Sequence, residues 1–282
     1  MDKIFCTIDL EDLAHDYPRS LGLNSDIELR ATALLENYNQ INNLCKKYDL
    51  KITFFCTGIL AKLFPDIIKL VSSDGHEIAS QYFYHDHVNK DDISVFEKRL
   101  CQSIDILTNL SSNKICGFRA PYFSLNYKDT KYYKIIEKYF EYDSSLLLDI
   151  KNYKNRIEIL NNNISGRLKF IPVLYYKPFP KVKLRMGGSY FKILPLKTLI
   201  NLKEKISNHD NCIIYLHPYD YDSKFSYMSN YETFKKLNFF KKPYYYLKQF
   251  QWLYFGNNKV LDKLESIMKL YSFQNLMKDL VN

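Results

Sequence analysis

Residues 3–12 read Lys3-Ile4-Phe5-Cys6-Thr7-Ile8-Asp9-Leu10-Glu11-Asp12, a short apolar run that ends in carboxylates. The run is typical of a strand, and because side chains alternate along a strand, Asp9 and Glu11 are expected to share its inward face. Asp12 follows on the turn. Carboxylates this close raise one another's pKa unless a cation or hydrogen-bond donors compensate. The stretch therefore predicts a strand that ends either in a catalytic or metal-binding site or in acids that cap the next element.

Comparable apolar runs recur along the chain and alternate with longer segments of helical periodicity. The predicted strands cover residues 3–10, 51–57, 76–80, 114–119, 142–147, 168–174 and 212–217. Helical spacing links Leu34, Leu35, Tyr38, Ile41 and Cys45, and again Ile93, Phe96, Leu100, Ile104 and Leu107. This alternation predicts an α/β fold with a parallel sheet and crossover helices. Seven strands at this length favour a barrel over an open sheet.

The chain shows no internal repeat and no linker, so a single domain is expected. We assign residues 1–222 to the barrel and residues 223–282 to a C-terminal helical extension packed on it. Gly187-Gly188 is the clearest break in the pattern. It is expected to carry a loop across the face of the barrel.

The composition is that of a globular protein. The 282 residues are 46% hydrophobic and 25% charged, with 8 Gly and 9 Pro, which excludes disordered and collagen-like chains.

The six cysteines form no C-x-x-C pair, so reduced thiols are expected. Met1 leads directly into the first apolar run without a signal-peptide pattern, and no apolar run is long enough to cross a bilayer. We therefore expect a cytoplasmic protein.

The net charge of +9 lies mostly in the last fifth of the chain, where residues 223–282 hold ten Lys against four acids, with aromatic residues between them. No recognition helix, zinc finger or RNA-binding motif accompanies these lysines, so nucleic acid is not an expected partner. Two interpretations of the segment remain open. It is either a set of helices with a solvated lysine-rich face, or a peripheral contact with the inner face of the membrane.

Polar side chains lie at the carboxyl ends of several predicted strands or just beyond them. They are Asp9 and Glu11 at the first strand, Gln81, His85 and His87 at the third, Arg119 and Tyr122 at the fourth, and His217 at the last. In parallel α/β folds these strand ends meet on one side of the sheet, where catalytic groups gather. An arginine beside carboxylates normally pairs with one of them and keeps it ionised. The sequence therefore predicts one polar site at the mouth of the barrel.

Seven short motifs occur in a fixed order along the chain. They are TIDLED at 7–12, ITFF at 52–55, GHEIAS at 75–80, GFRAPY at 117–122, YDSS at 142–145, GGSYF at 187–191 and YLHP at 215–218. In this order they resemble the polysaccharide deacetylases of the NodB-homology group, carbohydrate esterase family 4. The resemblance is especially to the branch found in bacterial surface-polysaccharide gene clusters, and it covers roughly residues 3–222.

The resemblance implies a distorted (β/α)7 barrel and the hydrolytic removal of an N- or O-acyl group, usually acetyl, from a sugar. It implies that Asp9 is the general base, His217 the general acid and Arg119 the residue that orients Asp9. The backbone N–H of Tyr122 would help to hold the oxyanion, as amide hydrolysis requires. The expected partner is an acylated sugar that is nucleotide-linked, lipid-linked or part of a glycan. The expected role is surface-polysaccharide or lipopolysaccharide assembly.

One position departs from the family pattern. The resemblance implies a divalent metal, with zinc expected, held by an acid and two histidines four residues apart. Gln81 stands at the first histidine position and only His85 remains. An amide oxygen is a weaker ligand than an imidazole, and His87 cannot take the vacated place unless the turn is rebuilt. We expect a weakly bound metal at Gln81, His85 and either Glu11 or Asp12. Metal-independent hydrolysis and a catalytically inactive, glycan-binding relative remain the alternatives.

Overall fold

The computed structural model describes residues 4–23 and 28–281, with a curled parallel sheet at its centre. The strands are β1 (Ile4–Leu10), β2 (Thr53–Cys56), β3 (Glu77–Ser80), β4 (Gly117–Phe118), β5 (Tyr142–Asp143), β6 (Leu147–Asp149), β7 (Lys169–Phe170), β8 (Val173–Phe179), β9 (Val182–Arg185) and β10 (Cys212–Leu216). Seven of them pair in the order β10-β1-β2-β3-β4-β5-β7, each parallel to its neighbour. The predicted α/β fold with a parallel, barrel-like sheet is therefore confirmed.

Helices surround the sheet. They are α1 (Leu13–Ser20), α2 (Ala31–Lys47), α3 (Gly58–Leu63), α4 (Pro65–Ser73), α5 (Ile93–Leu110), α6 (Thr130–Tyr139), α7 (Tyr153–Asn161), α8 (Gly188–Ile193), α9 (Leu196–Ser207), α10 (Lys241–Lys248), α11 (Phe250–Leu253) and α12 (Val260–Leu270). Short 3-10 turns occur at Val88–Lys90, Pro121–Phe123, Pro218–Asp220, Tyr231–Phe234, Asn257–Lys259 and Met277–Leu280. The predicted helical periodicity is confirmed in α2 and α5, whose buried apolar side chains belong to the main core. Leu35 is the exception, because its side chain is 37% exposed.

The alternation of side chains along β1 divides the core into two layers. Ile4, Cys6 and Ile8 point to the helix-covered outer layer, where they join the main apolar cluster. Phe5 points into the barrel, where it meets Tyr215 of β10 in a second, smaller cluster. Because the period of a strand is two residues, the inward set continues from Phe5 toward the carboxyl end of β1 and carries the predicted acidic residues to the barrel mouth.

Two predicted strands are each divided in the structure. The run 142–147 gives β5 in the main sheet and β6 in a separate three-stranded sheet with β8 and β9. Between β5 and β6, the hydroxyls of Ser144 and Ser145 bond to Arg119 and to the backbone N–H of Ala120, which interrupts the ladder. The run 168–174 likewise gives β7 and β8, separated by Pro172, which has no N–H for a ladder hydrogen bond. The prediction of one continuous strand over each of these two runs is therefore wrong.

The Gly187-Gly188 break lies where the second sheet meets β10. Gly187 forms a parallel bridge with Tyr215, and a Cβ at Gly187 would lie only 2.3 Å from the Tyr215 ring. Glycine is required for this close approach. Gly188 and Ser189 then continue along the wall of the cavity at the barrel mouth.

The C-terminal residues close the opposite end of the barrel. The N–H of Gln274 donates to the carbonyl of Ile4 at 2.8 Å, and the Met277 side chain is fully buried in the interior cluster. The N–H groups of Met277 and Lys278 donate to Thr53 Oγ1 at 3.0 Å and to Glu77 Oε2 at 3.2 Å. The chain beyond α12 therefore covers the amino ends of the central strands.

The six cysteines are free, as the sequence predicted. Among residues 4–23 and 28–281, no helix has the length and apolar content needed to span a membrane.

Candidate active site

Asp9 and Arg119 form a buried ion pair at the barrel mouth. Arg119 is fully buried, and its Nη1 donates to Asp9 Oδ1 at 2.5 Å and to Thr7 Oγ1 at 3.0 Å. Its Nη2 donates to Ser144 Oγ at 3.0 Å, and the ring of Phe55 lies 3.9 Å from the guanidinium carbon. These contacts fix the Asp9 carboxylate with one oxygen bound to Arg119.

The other Asp9 oxygen faces His217, which follows β10. His217 Nε2 lies 3.9 Å from Asp9 Oδ2 and 3.6 Å from Glu11 Oε1. Its Nδ1 bonds to Asp220 Oδ2 at 2.6 Å. The Tyr219 ring stacks on the imidazole at 4.7 Å between centroids. Although burial lowers the pKa of His217, Asp220 and the nearby acids outweigh it and raise this pKa to about 9.

Behind Asp220 lies a buried lysine. Lys192 Nζ is 3.2 Å from Asp220 Oδ1, and Lys192 is 2% exposed. Burial raises the pKa of Asp220, but His217 and Lys192 overcome this and keep it below its usual value. The carboxylate therefore stays ionised and holds the His217 imidazole in one orientation.

Glu11 connects His217 to the third strand. Tyr219 donates its hydroxyl to Glu11 Oε1 at 2.6 Å, and His85 Nε2 contacts Glu11 Oε2. Burial alone would raise the pKa of Glu11, but His85 and His217 lower it below its ordinary value. For His85, burial lowers the pKa and the Glu11 carboxylate more than reverses this, so that pKa is raised. Without another cation, Glu11 and His85 form an ion pair.

The residues at this point fit a divalent cation. One donor atom each from Glu11, Asp16 and His85 lies within 4.8 Å of the other two, and all three residues are buried. Gln81 Oε1 is buried without a hydrogen-bond partner in the described part of the chain, and Gln81 lines the same cavity. Two carboxylates, an imidazole and an orphaned amide oxygen are a donor set that a divalent ion accepts.

Asp12 does not belong to this group, which corrects its expected place as a metal ligand. It caps α1: Oδ1 accepts from the N–H of Ala14 at 2.9 Å, and Oδ2 accepts from the N–H of Arg30 at 2.5 Å. Burial, opposed by these hydrogen bonds, raises the pKa of Asp12 to about 6. Asp16 stands one turn later on α1 and reaches the cavity in its place. The alternative that an acid of this stretch caps a helix therefore holds for Asp12.

Tyr122 lies at the edge of the cavity in a left-handed backbone conformation, with φ 57° and ψ 14°. Its ring packs against His85 at 4.3 Å and stacks on His87 at 4.6 Å. Within the described residues, no protein acceptor takes the N–H of Tyr122. His87 is exposed at the rim and stays outside the group of cation donors.

The cavity that contains these groups has a volume of about 470 Å³. Its wall includes the aromatic side chains of Tyr17, Tyr122, Tyr245 and Trp252 and the cationic side chains of Lys90, Arg185 and Lys248. A cavity with aromatic walls and convergent polar groups is typical of a small-ligand site.

Comparison with known proteins finds likenesses to one family over part of the chain. Residues 26–138 match the family model described as polysaccharide deacetylase. A peptidoglycan-N-acetylglucosamine deacetylase of Bacillus cereus is 28% identical over 88 residues, which are 31% of this chain and 32% of that protein. The matched residues are similar to polysaccharide deacetylases over less than half of the chain. The chain spans about a third of the length of this curated relative.

Similar folds also occur in solved structures. A mutant of a Bacillus anthracis CE4 family pseudoenzyme, with restored enzymatic activity, has a TM-score of 0.52 and 12% identity. The alignment covers 100% of this chain and 68% of that one. A second mutant of the same pseudoenzyme has a TM-score of 0.51, again at 12% identity, covering 100% of this chain and 67% of the other. At this identity the likeness shows the fold.

The deacetylase family match covers only part of the site. Gln81, His85, Arg119 and Tyr122 lie inside the matched range, whereas Asp9, Asp16 and His217 lie outside it. The structure nevertheless brings all of them to one cavity, or directly beneath it for Arg119. Sequence reasoning missed Asp16, Lys192 and Asp220. Of these, only Asp220 had a local signal, because it stands three residues after His217 in a turn.

Proposed function

We propose that this protein hydrolyses an N-acyl group, with acetyl expected, from a sugar. The observation that carries the proposal is the pair of groups across the cavity. Asp9, held by Arg119, and His217, held by Asp220, lie 3.9 Å apart and open into a space large enough for a sugar. A base and an acid so placed suit a reaction that takes one proton from water and gives one to a leaving nitrogen.

Asp9 is the proposed general base. Its Oδ1 is bound by Arg119, so Oδ2 is the oxygen that can accept a proton from water. The water oxygen bonds to the acyl carbon, and the carbon–nitrogen bond then breaks. Arg119 orients Asp9 and stabilises its ionised form through a buried, charge-assisted hydrogen bond.

His217 is the proposed general acid. With a pKa of about 9 its imidazole carries a proton at neutral pH, and Nε2 is the atom that faces the cavity beside Asp9. It donates this proton to the departing amine. The free N–H of Tyr122 at the cavity edge supports a role in binding the developing oxyanion, because an unpaired backbone donor is available there.

Glu11, Asp16, His85 and Gln81 would hold a divalent cation. When bound, such an ion would lower the pKa of water and polarise the acyl oxygen. A set with one imidazole is a poorer zinc site than one with two, and its oxygen donors also suit harder ions such as manganese. We therefore expect weak zinc binding.

The proposed substrate is an acylated sugar, either nucleotide-linked, lipid-linked or part of a glycan. Lys90, Arg185 and Lys248 line the cavity, and none forms an ion pair with a carboxylate of the described residues. These cations suit a substrate with an anionic group. A role in surface-polysaccharide assembly is part of this proposal, and its support is the sequence resemblance alone.

The second candidate function is glycan binding without catalysis. Gln81 at a histidine position of the family pattern is the observation that favours it. The two candidates differ in whether the cavity turns over its ligand.

The test is the release of acetate from N-acetylglucosamine oligosaccharides, the sugar class in the name of the Bacillus cereus relative. Metal-supplied wild type is compared with Asp9→Asn, His217→Ala and the exposed control His209→Ala. We expect losses of about a hundredfold or more in the first two variants and none in the control. Normal turnover in either site variant, with circular dichroism unchanged, would remove that residue from its role.

A further inference from the structure

An exposed apolar surface lies on the C-terminal segment. Phe239 is 85% exposed, Phe240 83%, Leu247 61% and Tyr244 58%, and we call these four residues the aromatic patch. Phe240, Tyr244 and Leu247 are spaced four and three residues apart at the start of α10 and along it, so they share one helix face. A contiguous group of exposed, large apolar side chains is typical of a surface that binds a protein, a membrane or a ligand.

Lysines flank the residues of the aromatic patch along the chain. Residues 231–255 contain five Lys and a single acid, Glu232. Lys242 pairs with Glu232 at 3.1 Å. Lys235, Lys236 and Lys241 are exposed, and no carboxylate of residues 4–23 or 28–281 forms an ion pair with them. The aromatic patch therefore lies in a segment that is rich in exposed lysines and poor in acids.

The segment that carries the patch is packed on the barrel. Tyr17 of α1 donates its hydroxyl to the carbonyl of Tyr245 at 3.0 Å, and its ring lies 5.0 Å from that of Trp252. Tyr245 and Lys248 of α10 line the active-site cavity. The helix α10 and the two residues before it thus carry the aromatic patch, while other residues of α10 form part of the cavity wall.

We propose that the aromatic patch docks this protein on a membrane surface that carries anionic lipids. Aromatic rings settle at the level of the lipid headgroups, and flanking lysines are attracted by anionic lipids. The positive charge of the lysines favours an anionic membrane over a second copy of the chain as the binding partner. Two patches facing each other would bring like charges together.

The aromatic patch lies next to the active-site cavity, and its position therefore suggests which substrate the cavity receives. This inference about the substrate rests on the proposed function. A cavity whose wall continues into a membrane-bound helix is placed to receive a sugar carried by a lipid, because such a substrate is held at the same interface.

The test is cosedimentation of the whole protein with vesicles. One set contains phosphatidylcholine alone, and the other contains equal parts of phosphatidylcholine and phosphatidylglycerol. The apolar variant joins Phe239→Ser and Phe240→Ser. Its matched control joins Leu63→Ser and Phe179→Ser, which are 53% and 69% exposed on α3 and β8. The charge variant joins Lys235→Gln, Lys236→Gln and Lys241→Gln.

We expect the wild type to bind the anionic vesicles and to bind phosphatidylcholine alone far more weakly. The apolar and charge variants should each lose about tenfold or more in affinity, with the control unchanged. No binding by the wild type, equal binding to both vesicles, or an equal loss in the control would each overturn the proposal. Self-association in light scattering without vesicle binding would also overturn it and favour a second copy. Vesicle binding needs no turnover, so its failure leaves the proposed hydrolysis untouched.

Discussion

At the residue scale, Arg119 joins side chains from separate parts of the sheet. It donates to Asp9 and Thr7 of β1 and to Ser144 after β5. The single ammonium of Arg119→Lys cannot reproduce this fork. We expect a loss of about 2 kcal/mol in the free energy of unfolding, because buried acceptors lose their donor. Urea denaturation measures this, and the acetate assay should show a fall in turnover.

A matched surface variant controls for the change of side chain. Arg99 donates to both carboxylate oxygens of Asp91 but is 27% exposed in its side chain. Arg99→Lys should change the free energy of unfolding by less than about 1 kcal/mol. If Arg99→Lys and Arg119→Lys lose the same free energy of unfolding, the buried hydrogen bonds of Arg119 do not have the importance that we assign to them.

The pairing of His217 with Asp220 predicts a pH effect. His217 must be protonated to act as the acid, so activity is lost as pH rises through its raised pKa of about 9. Asp220→Asn removes the charge that raises this pKa, and the alkaline limb of the pH–rate profile should therefore move to lower pH. Asp222→Asn, which loses a carboxylate bonded to Ser226, should leave the limb in place. If the alkaline limb of the pH–rate profile stays in place in Asp220→Asn, Asp220 does not set the pKa of the general acid.

Some site residues could be predicted from the sequence because the strand period alone places them. Asp9 lies near the carboxyl end of β1 and His217 directly follows β10, and both point into the barrel mouth as that period requires. Asp16 depends on the path of α1 after its cap, and Lys192 depends on how α8 packs behind Asp220. No local pattern fixes those two positions.

At the element scale, α1 carries two acids with different roles. Asp12 caps the helix, whereas Asp16 reaches the group of cation donors. Asp16→Ala should lower the affinity for manganese and zinc about tenfold or more in calorimetric titration. Asp12→Ala should instead cost about 1 kcal/mol of stability through loss of the cap. Loss of metal affinity in Asp12→Ala alone would contradict this assignment.

The elements themselves were predictable to different degrees. The long periodic helices α2 and α5 were predictable because their buried faces recur every three or four residues. The division of 142–147 and 168–174 was not, since an apolar run does not show which sheet its two halves join. Ser144 and Pro172 are the physical breaks, through a side-chain hydrogen bond and a missing N–H.

At the scale of the whole molecule, the C-terminal residues complete the barrel. Met277 is fully buried against the interior cluster beneath β2 and β3. Met277→Ala should lower the free energy of unfolding by about 2–4 kcal/mol through transfer and cavity terms. Leu270→Ala, at a residue that is 60% exposed, is the matched control and should be nearly neutral. Equal effects would show that the C-terminal residues do not stabilise the barrel.

The parallel arrangement of the central strands followed from the alternation of strands and helices. The closure of the barrel by residues 273–281 did not, because it joins positions more than 200 residues apart, such as Met277 and Thr53. Contacts of this range leave no periodic trace in the sequence.

We propose that this protein hydrolyses an acylated sugar although glutamine stands at position 81. Acetate release by wild type and by Gln81→His, each supplied with manganese or zinc and each after chelation, tests this proposal. We expect release by the wild type, its loss after chelation, and tighter zinc binding in Gln81→His, because an imidazole replaces an amide oxygen. Acetate release by Gln81→His under conditions where the wild type releases none would contradict the proposed hydrolysis and make the wild type a binding protein.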